Sequence, residues 1–176
     1  MKKLGLGMIL VLTSMSGMAY EQQGNRLGFG ITHSQVEQLG HTYKANAVNV
    51  DWGYDFNQVF SLNAGGVFHT TEDVYGNKPI TGYVEAEFGH VFDVGSGFHV
   101  KPYVAGGLAM TTREKEIETP DSSGEHLQNV QAGVSVAAGV RVVASSGIYI
   151  DTRIGRVNFD KVREEKAVNL SIGYKF

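Results

Sequence analysis

The residues Val168-Asn169-Leu170-Ser171-Ile172-Gly173-Tyr174-Lys175-Phe176 decide the fold. Every second position (Val168, Leu170, Ile172, Tyr174, Phe176) is apolar or aromatic, and the intervening Asn169, Ser171, Gly173 and Lys175 are small or polar. A period of two marks a strand with two unlike faces. An apolar strand finishing on an aromatic ring gains little in water. It suits a sheet that closes on itself inside a bilayer, where aromatic residues sit at the lipid boundary.

Seven further segments repeat the alternation, at residues 26–34, 43–54, 59–70, 80–92, 98–111, 130–143 and 148–157. In the second, Val48, Val50, Trp52 and Tyr54 share one face, with Ala47, Asn49, Asp51 and Gly53 on the other. Tight turns are predicted at 55–58, 93–97 and 144–147, and longer connections at 35–42, 71–79, 112–129 and 158–165. Short links at one end and long ones at the other describe an all-β, eight-stranded antiparallel up-and-down transmembrane barrel. The long connections would face outside the cell. Pro102 lacks an N–H within a closed sheet, so a bulge or shifted register is expected near residues 101–103.

Composition agrees without revealing the fold. The 176 residues include 23 glycines, 3 prolines and no cysteine, with 42% hydrophobic residues. No apolar run reaches the length of a membrane helix. The net charge of −3 does not fit a general nucleic-acid binder. Lys2 and Lys3, the apolar run from Leu4 to Leu12 and Gly17-Met18-Ala19 read as a signal peptide over residues 1–19, leaving a barrel domain at 20–176. Without cysteine there is neither a disulfide nor a lipoprotein anchor.

A soluble barrel carrying a small ligand would point its apolar face inward. Here that face is too bulky for an eight-stranded interior, while the opposite face is charged and rich in glycine. The apolar face therefore meets lipid. Trp52, Tyr54, Phe60, Phe92, Phe98, Tyr174 and Phe176 form an aromatic girdle at the short-turn end, with Phe68 and Met110 thinly marking the other.

The inward face then collects Asp51, Glu85, Glu87, Lys101, Asp151 and Arg153, with Arg26, Arg141 and Lys175 nearer the turns. That is four acids against five bases. Unpaired charges in a narrow lumen are costly, so these groups are expected to pair in a network that plugs the barrel. The alternative use of the same residues is a narrow path for ions or small solutes.

The leader, the eight-segment meander and the ending Gly173-Tyr174-Lys175-Phe176 resemble the small outer-membrane barrels of Gram-negative bacteria, nearest to the OmpX/Ail family and the OmpA membrane domain. That ending favours an aromatic residue eight before the end and a glycine five before it; this chain has Val168 and Ser171 there. The resemblance implies a monomer in the cell outer membrane, among outer-membrane lipids and lipopolysaccharide. It implies insertion by the barrel assembly machinery, which reads Tyr174 and Phe176. It also implies adhesion, resistance to host defences or membrane integrity, exercised through loops.

Catalysis finds little support. A lipid A-modifying enzyme would need a nucleophile, a base and a carboxylate together. His33 and Ser34 are adjacent, which sends them to opposite faces of a strand. His69 with Thr70 and Thr71, and His126 with Glu125, Ser122 and Ser123, form no better set. His33, His41, His69 and His126 lie on separate segments without ligand spacing, so neither a metal nor another cofactor is expected. His90 and His99 suit the short-turn interface. The most distinctive exposed stretch is acidic: Glu114, Glu116, Glu118, Asp121 and Glu125 outnumber Arg113 and Lys115. It would suit a basic partner, or divalent cations bridging lipopolysaccharide. The stretch at 158–165 carries both charges and could contact lipid phosphates.

Overall fold

The computed structural model describes residues 23–38, 40–72, 78–115, 127–160 and 163–176. The expected leader and the acidic residues Glu116, Glu118, Asp121 and Glu125 lie outside them. All of the alternating segments form strands: β1 (Gly24–Gln38), β2 (His41–Asp55), β3 (Phe60–His69), β4 (Ile80–Gly89), β5 (Phe92–Asp93), β6 (Phe98–Lys115), β7 (Leu127–Ala144), β8 (Ile148–Asp160) and β9 (Arg163–Lys175). The sheet runs β4-β3-β2-β1-β9-β8-β7-β6-β5, and the β4–β6 pairing closes it. The two-residue β5 prolongs β4, so eight staves make the barrel, every neighbouring pair antiparallel. Closure matters because lipid cannot satisfy an unpaired strand edge.

The last strand completes the ring. Residues from Arg26 to Gln38 pair with Lys175 back to Arg163. Beyond the ladder, Phe176 donates to the Asn25 carbonyl at 2.8 Å and accepts from the Asn25 N–H at 2.7 Å. Both members of the expected assembly signal, Tyr174 and Phe176, face outward at this seam, with Tyr174 opposite Leu27 and Ile148.

Polarity is inverted relative to a water-soluble domain. Ile31 is 64% exposed and Leu108 63%, whereas Arg26 and Glu87 are fully buried at 0%. Such a continuous apolar exterior needs hydrocarbon as its solvent. At the turn end the girdle is denser than expected. Phe56 and Phe88 join it, linking Tyr54, Phe56, Phe60 and Phe88 through ring centroids 4.9, 5.2 and 5.1 Å apart.

The opposite, far end departs from expectation. Residues 35–42 form no long loop: β1 and β2 stay paired to Gln38 and His41, and Gly40 takes the left-handed backbone of a turn at φ +79°. Residues 112–115 and 127–129 are paired strand, and so is most of 158–165, with one register irregularity between Asn158 and Asp160. The apolar rhythm stops where lipid gives way to water. The ladder continues because its hydrogen bonds do not depend on which solvent the side chains meet.

Pro102 also corrects the expectation. Gly89 pairs with Tyr103 and Phe92 with Val100, so the register is conserved and there is no bulge. The ladder simply lapses at His90 and Val91, where Pro102 still accepts from the His90 N–H at 3.3 Å but cannot donate.

Inside, glycines make room for tyrosines on neighbouring strands. A Cβ at Gly139 would lie 2.6 Å from the Tyr103 ring, one at Gly65 2.4 Å from the Tyr83 hydroxyl, and one at Gly28 2.4 Å from the Tyr149 hydroxyl. Aromatic cover of this kind offsets the weakness of glycine in a strand. Gly139→Val should therefore destabilise the refolded barrel by about 1–3 kcal/mol despite the better strand propensity of valine. Urea midpoints, read by the heat-dependent gel shift of folded barrels, check this; an unchanged or higher midpoint contradicts the packing.

Candidate functional site

Every charge expected in the lumen faces it, and all are joined to it by contacts. At the centre, Arg141 on β7 donates to both oxygens of Glu87 on β4, at 3.0 and 2.9 Å. Its Nη2 also lies 2.6 Å from Asp151 on β8. The guanidinium carbon sits 5.0 Å from the Tyr103 ring centroid and 5.8 Å from that of Tyr149, so rings cover the faces while carboxylates take the edges. Tyr103 donates to Asp151 at 2.8 Å, and Tyr149 to Asp51 at 3.1 Å.

Below this, at the turn end, Arg26 on β1 reaches Glu87 at 3.1 Å and Asp55 at 3.2 Å. Asp55 also meets Lys175 at 2.9 Å and Lys101 at 3.7 Å, and accepts from Ser61 at 2.7 Å. Lys101 in turn donates to Ser61 at 2.5 Å. Above the centre, Arg153 holds both oxygens of Glu85 at 2.8 Å, its guanidinium carbon 5.2 Å from the Tyr83 ring centroid.

Asp55 was assigned to a turn by sequence reasoning. Its inward position supplies the fifth carboxylate: Asp51, Asp55, Glu85, Glu87 and Asp151 face Arg26, Lys101, Arg141, Arg153 and Lys175. The parity of Asp51 and Gly53, carried two residues further, would have found it. All eight staves contribute a charged or hydrogen-bonding group, β3 through Ser61 and β9 through Lys175.

A second cluster, not foreseen, lies toward the far end. Buried Glu165 is 3.6 Å from His69 Nε2 and 3.4 Å from Arg163, and Arg163 lies 5.1 Å from the Phe159 ring centroid. Arg163 and Glu165 were expected in an outer loop; as alternate residues of β9 they face the lumen instead. Between the clusters is a void of about 50 Å³ bordered by Tyr83, Glu85, Ser135, Arg153 and Asn169. A further void of about 10 Å³, room for at most one water, lies within the central network.

His33 and Ser34 lie on opposite faces, as their adjacency dictates: His33 is exposed, 2.8 Å from Asn46, and Ser34 is buried. His69 faces Glu165 rather than a nucleophile. Among the described residues no three histidines, aspartates or glutamates are grouped to hold a metal. Glu114 belongs to β6 at the far end.

The family described as "Outer membrane protein beta-barrel domain" matches residues 4–176. No curated protein matches the chain in sequence. Among solved structures, the chain is similar to Neisserial surface protein A at 16% identity and TM-score 0.63, covering 87% of this chain and 97% of that one. It is similar to the N-terminal β-barrel domain of Pseudomonas aeruginosa OprF at 16% identity and TM-score 0.59, covering 88% and 100%. Ail of Yersinia pestis, in complex with the heparin analogue sucrose octasulfate, gives 15% identity and TM-score 0.54, covering 89% and 100%.

Glu87 and Glu85 differ in what their loss leaves behind. Glu87→Ala strands two guanidiniums buried to 0% and 3%, whereas Glu85→Ala leaves one that is 13% exposed. Removing a partner from a buried ion pair costs about 3–5 kcal/mol. Glu87→Ala should lie in or above that range and Glu85→Ala below it, as measured by urea midpoints in lipid. Equal midpoints, or no change at Glu87, would contradict the assignment of Glu87 as the centre.

Proposed function

This chain belongs to the outer membrane β-barrel protein family, and on that premise we propose a non-enzymatic surface protein with a plugged lumen, acting from its far end. The observation that carries the reading is the balanced set of five carboxylates and five cations crossing the lumen from seven of the eight staves, the remaining one, β3, joining through Ser61. An eight-stranded interior is narrow enough for side chains to fill. Filled by rings and mutually paired charges, it offers little to a passing ion.

The short-turn end faces the periplasm in this reading, and the longer hairpins face outside. Work done there is adhesion, resistance to host defences or membrane integrity. Ail was solved with a polyanion; the acidic run of Glu114, Glu116, Glu118, Asp121 and Glu125 favours a basic partner for this chain instead. His33 meets Asn46 and His69 meets Glu165, neither partner a nucleophile, which supports a role without catalysis.

The test is binding of the refolded barrel, held in neutral-lipid nanodiscs, to immobilised polylysine. Deleting residues 116–124 should abolish salt-sensitive retention while the heat-dependent gel shift stays intact. Equal retention by the deletion would overturn residues 116–124 as the interacting segment.

A further inference from the structure

The five carboxylates and five cations of the lumen balance as a set but not by place. Four of the acids meet a cation at 2.9 Å or less: Glu87 and Asp151 through Arg141, Glu85 through Arg153, and Asp55 through Lys175. Asp51 forms no ion pair among the described residues. Its buried carboxylate accepts from Tyr149 at 3.1 Å and from Asn49 at 3.4 Å. It is held in place as well. A Cβ at Gly28 would lie 2.7 and 2.9 Å from its two oxygens, so the carboxylate fills the space that glycine leaves. Even with Arg26 counted in full at the centre, Asp51, Asp151, Glu85 and Glu87 there face only Arg26, Arg141 and Arg153, while Asp55 faces Lys101 and Lys175 at the turn end. The centre is one positive charge short, where an uncompensated anion is costly.

The void of about 10 Å³ lies at that centre. Asp51, Asp151, Asn63, Asn169 and Ser171 border it. Asn63 on β3 and Asn169 on β9 are 4% and 7% exposed, and the Oδ1 of each accepts no hydrogen bond. Buried carbonyl oxygens are ordinarily satisfied. The lining thus offers one carboxylate without an ion pair and two amide oxygens without donors. A bridging water needs donors as well as acceptors around it, whereas a cation needs acceptors alone. Arg141 and Arg153 also border the void, but each is bound by both oxygens of a glutamate, Glu87 and Glu85.

Carboxylate and amide oxygens are hard donors, unsuited to copper. Calcium takes about six to eight oxygens and magnesium keeps several waters, neither of which a space for one water provides. A deficit of one charge fits a monovalent ion. We propose that the centre of the lumen binds a single alkali cation, sodium or potassium, with Asp51 as its counter-charge and the side-chain oxygens of Asn63 and Asn169 as ligands. The site goes beyond the plugged lumen of the proposed function; it rests on that network and not on the acidic segment.

The experiment refolds the full barrel in neutral lipid with sodium chloride, potassium chloride or N-methylglucamine chloride at one ionic strength, so that the ion need not cross the plug. The folded-to-unfolded ratio at a fixed urea concentration is read by the heat-dependent gel shift. An ion bound only by the folded state multiplies that ratio by one plus its concentration over Kd. At least one of the two alkali salts should raise it saturably over the organic cation, about tenfold when the salt stands ten times above Kd. Asp51→Asn, which removes the counter-charge and keeps the shape, should abolish the difference between salts. Asp93→Asn, in the turn outside the lumen, should retain it, and so should the deletion of 116–124. Should Asp51→Asn not fold, Asn63→Leu supplies the reading, with at least a threefold loss of the difference. Equal ratios in all three salts would overturn the proposal. So would a difference that survives Asp51→Asn, or one that Asp93→Asn removes. Its failure leaves the polylysine result untouched, and failure of the plug is read separately, as steady conductance of the wild type.

Discussion

The bond on which the rest of this structure depends is the clasp of Glu87 by Arg141 and Arg26. A carboxylate with no exposed surface, inside a barrel bounded by hydrocarbon, is tolerable only when cations surround it. Two guanidiniums so buried need more acid than one glutamate supplies. Asp151 takes the second edge of Arg141, and Asp55 takes the Nε side of Arg26. Asp55 then draws in Lys175 and Lys101. Each added charge neutralises the last, and the chain of contacts ends only when all eight staves are tied together.

The membrane imposes the complementary condition. Because the exterior must be apolar and the sheet must close, every polar requirement of the strands is met inside or along the ladder. Glycine lets the narrow lumen hold rings as well as charges: Tyr103 lies against Gly139, Tyr83 against Gly65, and Tyr149 against Gly28. Two of these rings cover the faces of Arg141, which carboxylates cannot. Glycine pattern and charge pattern are one design. Network and shell therefore depend on each other, since the network ties particular staves together and the staves set the spacing of the network.

Much of this was legible in the chain. Alternation from Val168 to Phe176 and in seven other segments placed nine lumen charges on their correct face, because a period of two leaves only two choices. Asp55 was lost because a turn-forming residue at the end of an apolar run looks like punctuation; its charged partners lie 29 to 120 positions away in the sequence. Arg163 and Glu165 were lost for the opposite reason. Hydrophobicity marks where lipid ends, while strands stop where hydrogen-bonded partners run out, and at Gln35, Lys44 and Lys166 those limits differ by several residues. The meeting of Asp51, Asn63 and Asn169 around one void escaped because contact across the lumen is a tertiary property: no segment contains more than one of the three.

The most direct test of the account is single-channel conductance of the refolded, gel-shifted barrel in a planar bilayer, with Glu87→Ala recorded beside it. A lumen closed by the Glu87 clasp predicts a silent wild type, and discrete openings in the variant once the two guanidiniums have lost their common partner. Steady openings in the wild type that are unaltered by the substitution would contradict it, making the lumen a conducting path that the network does not govern.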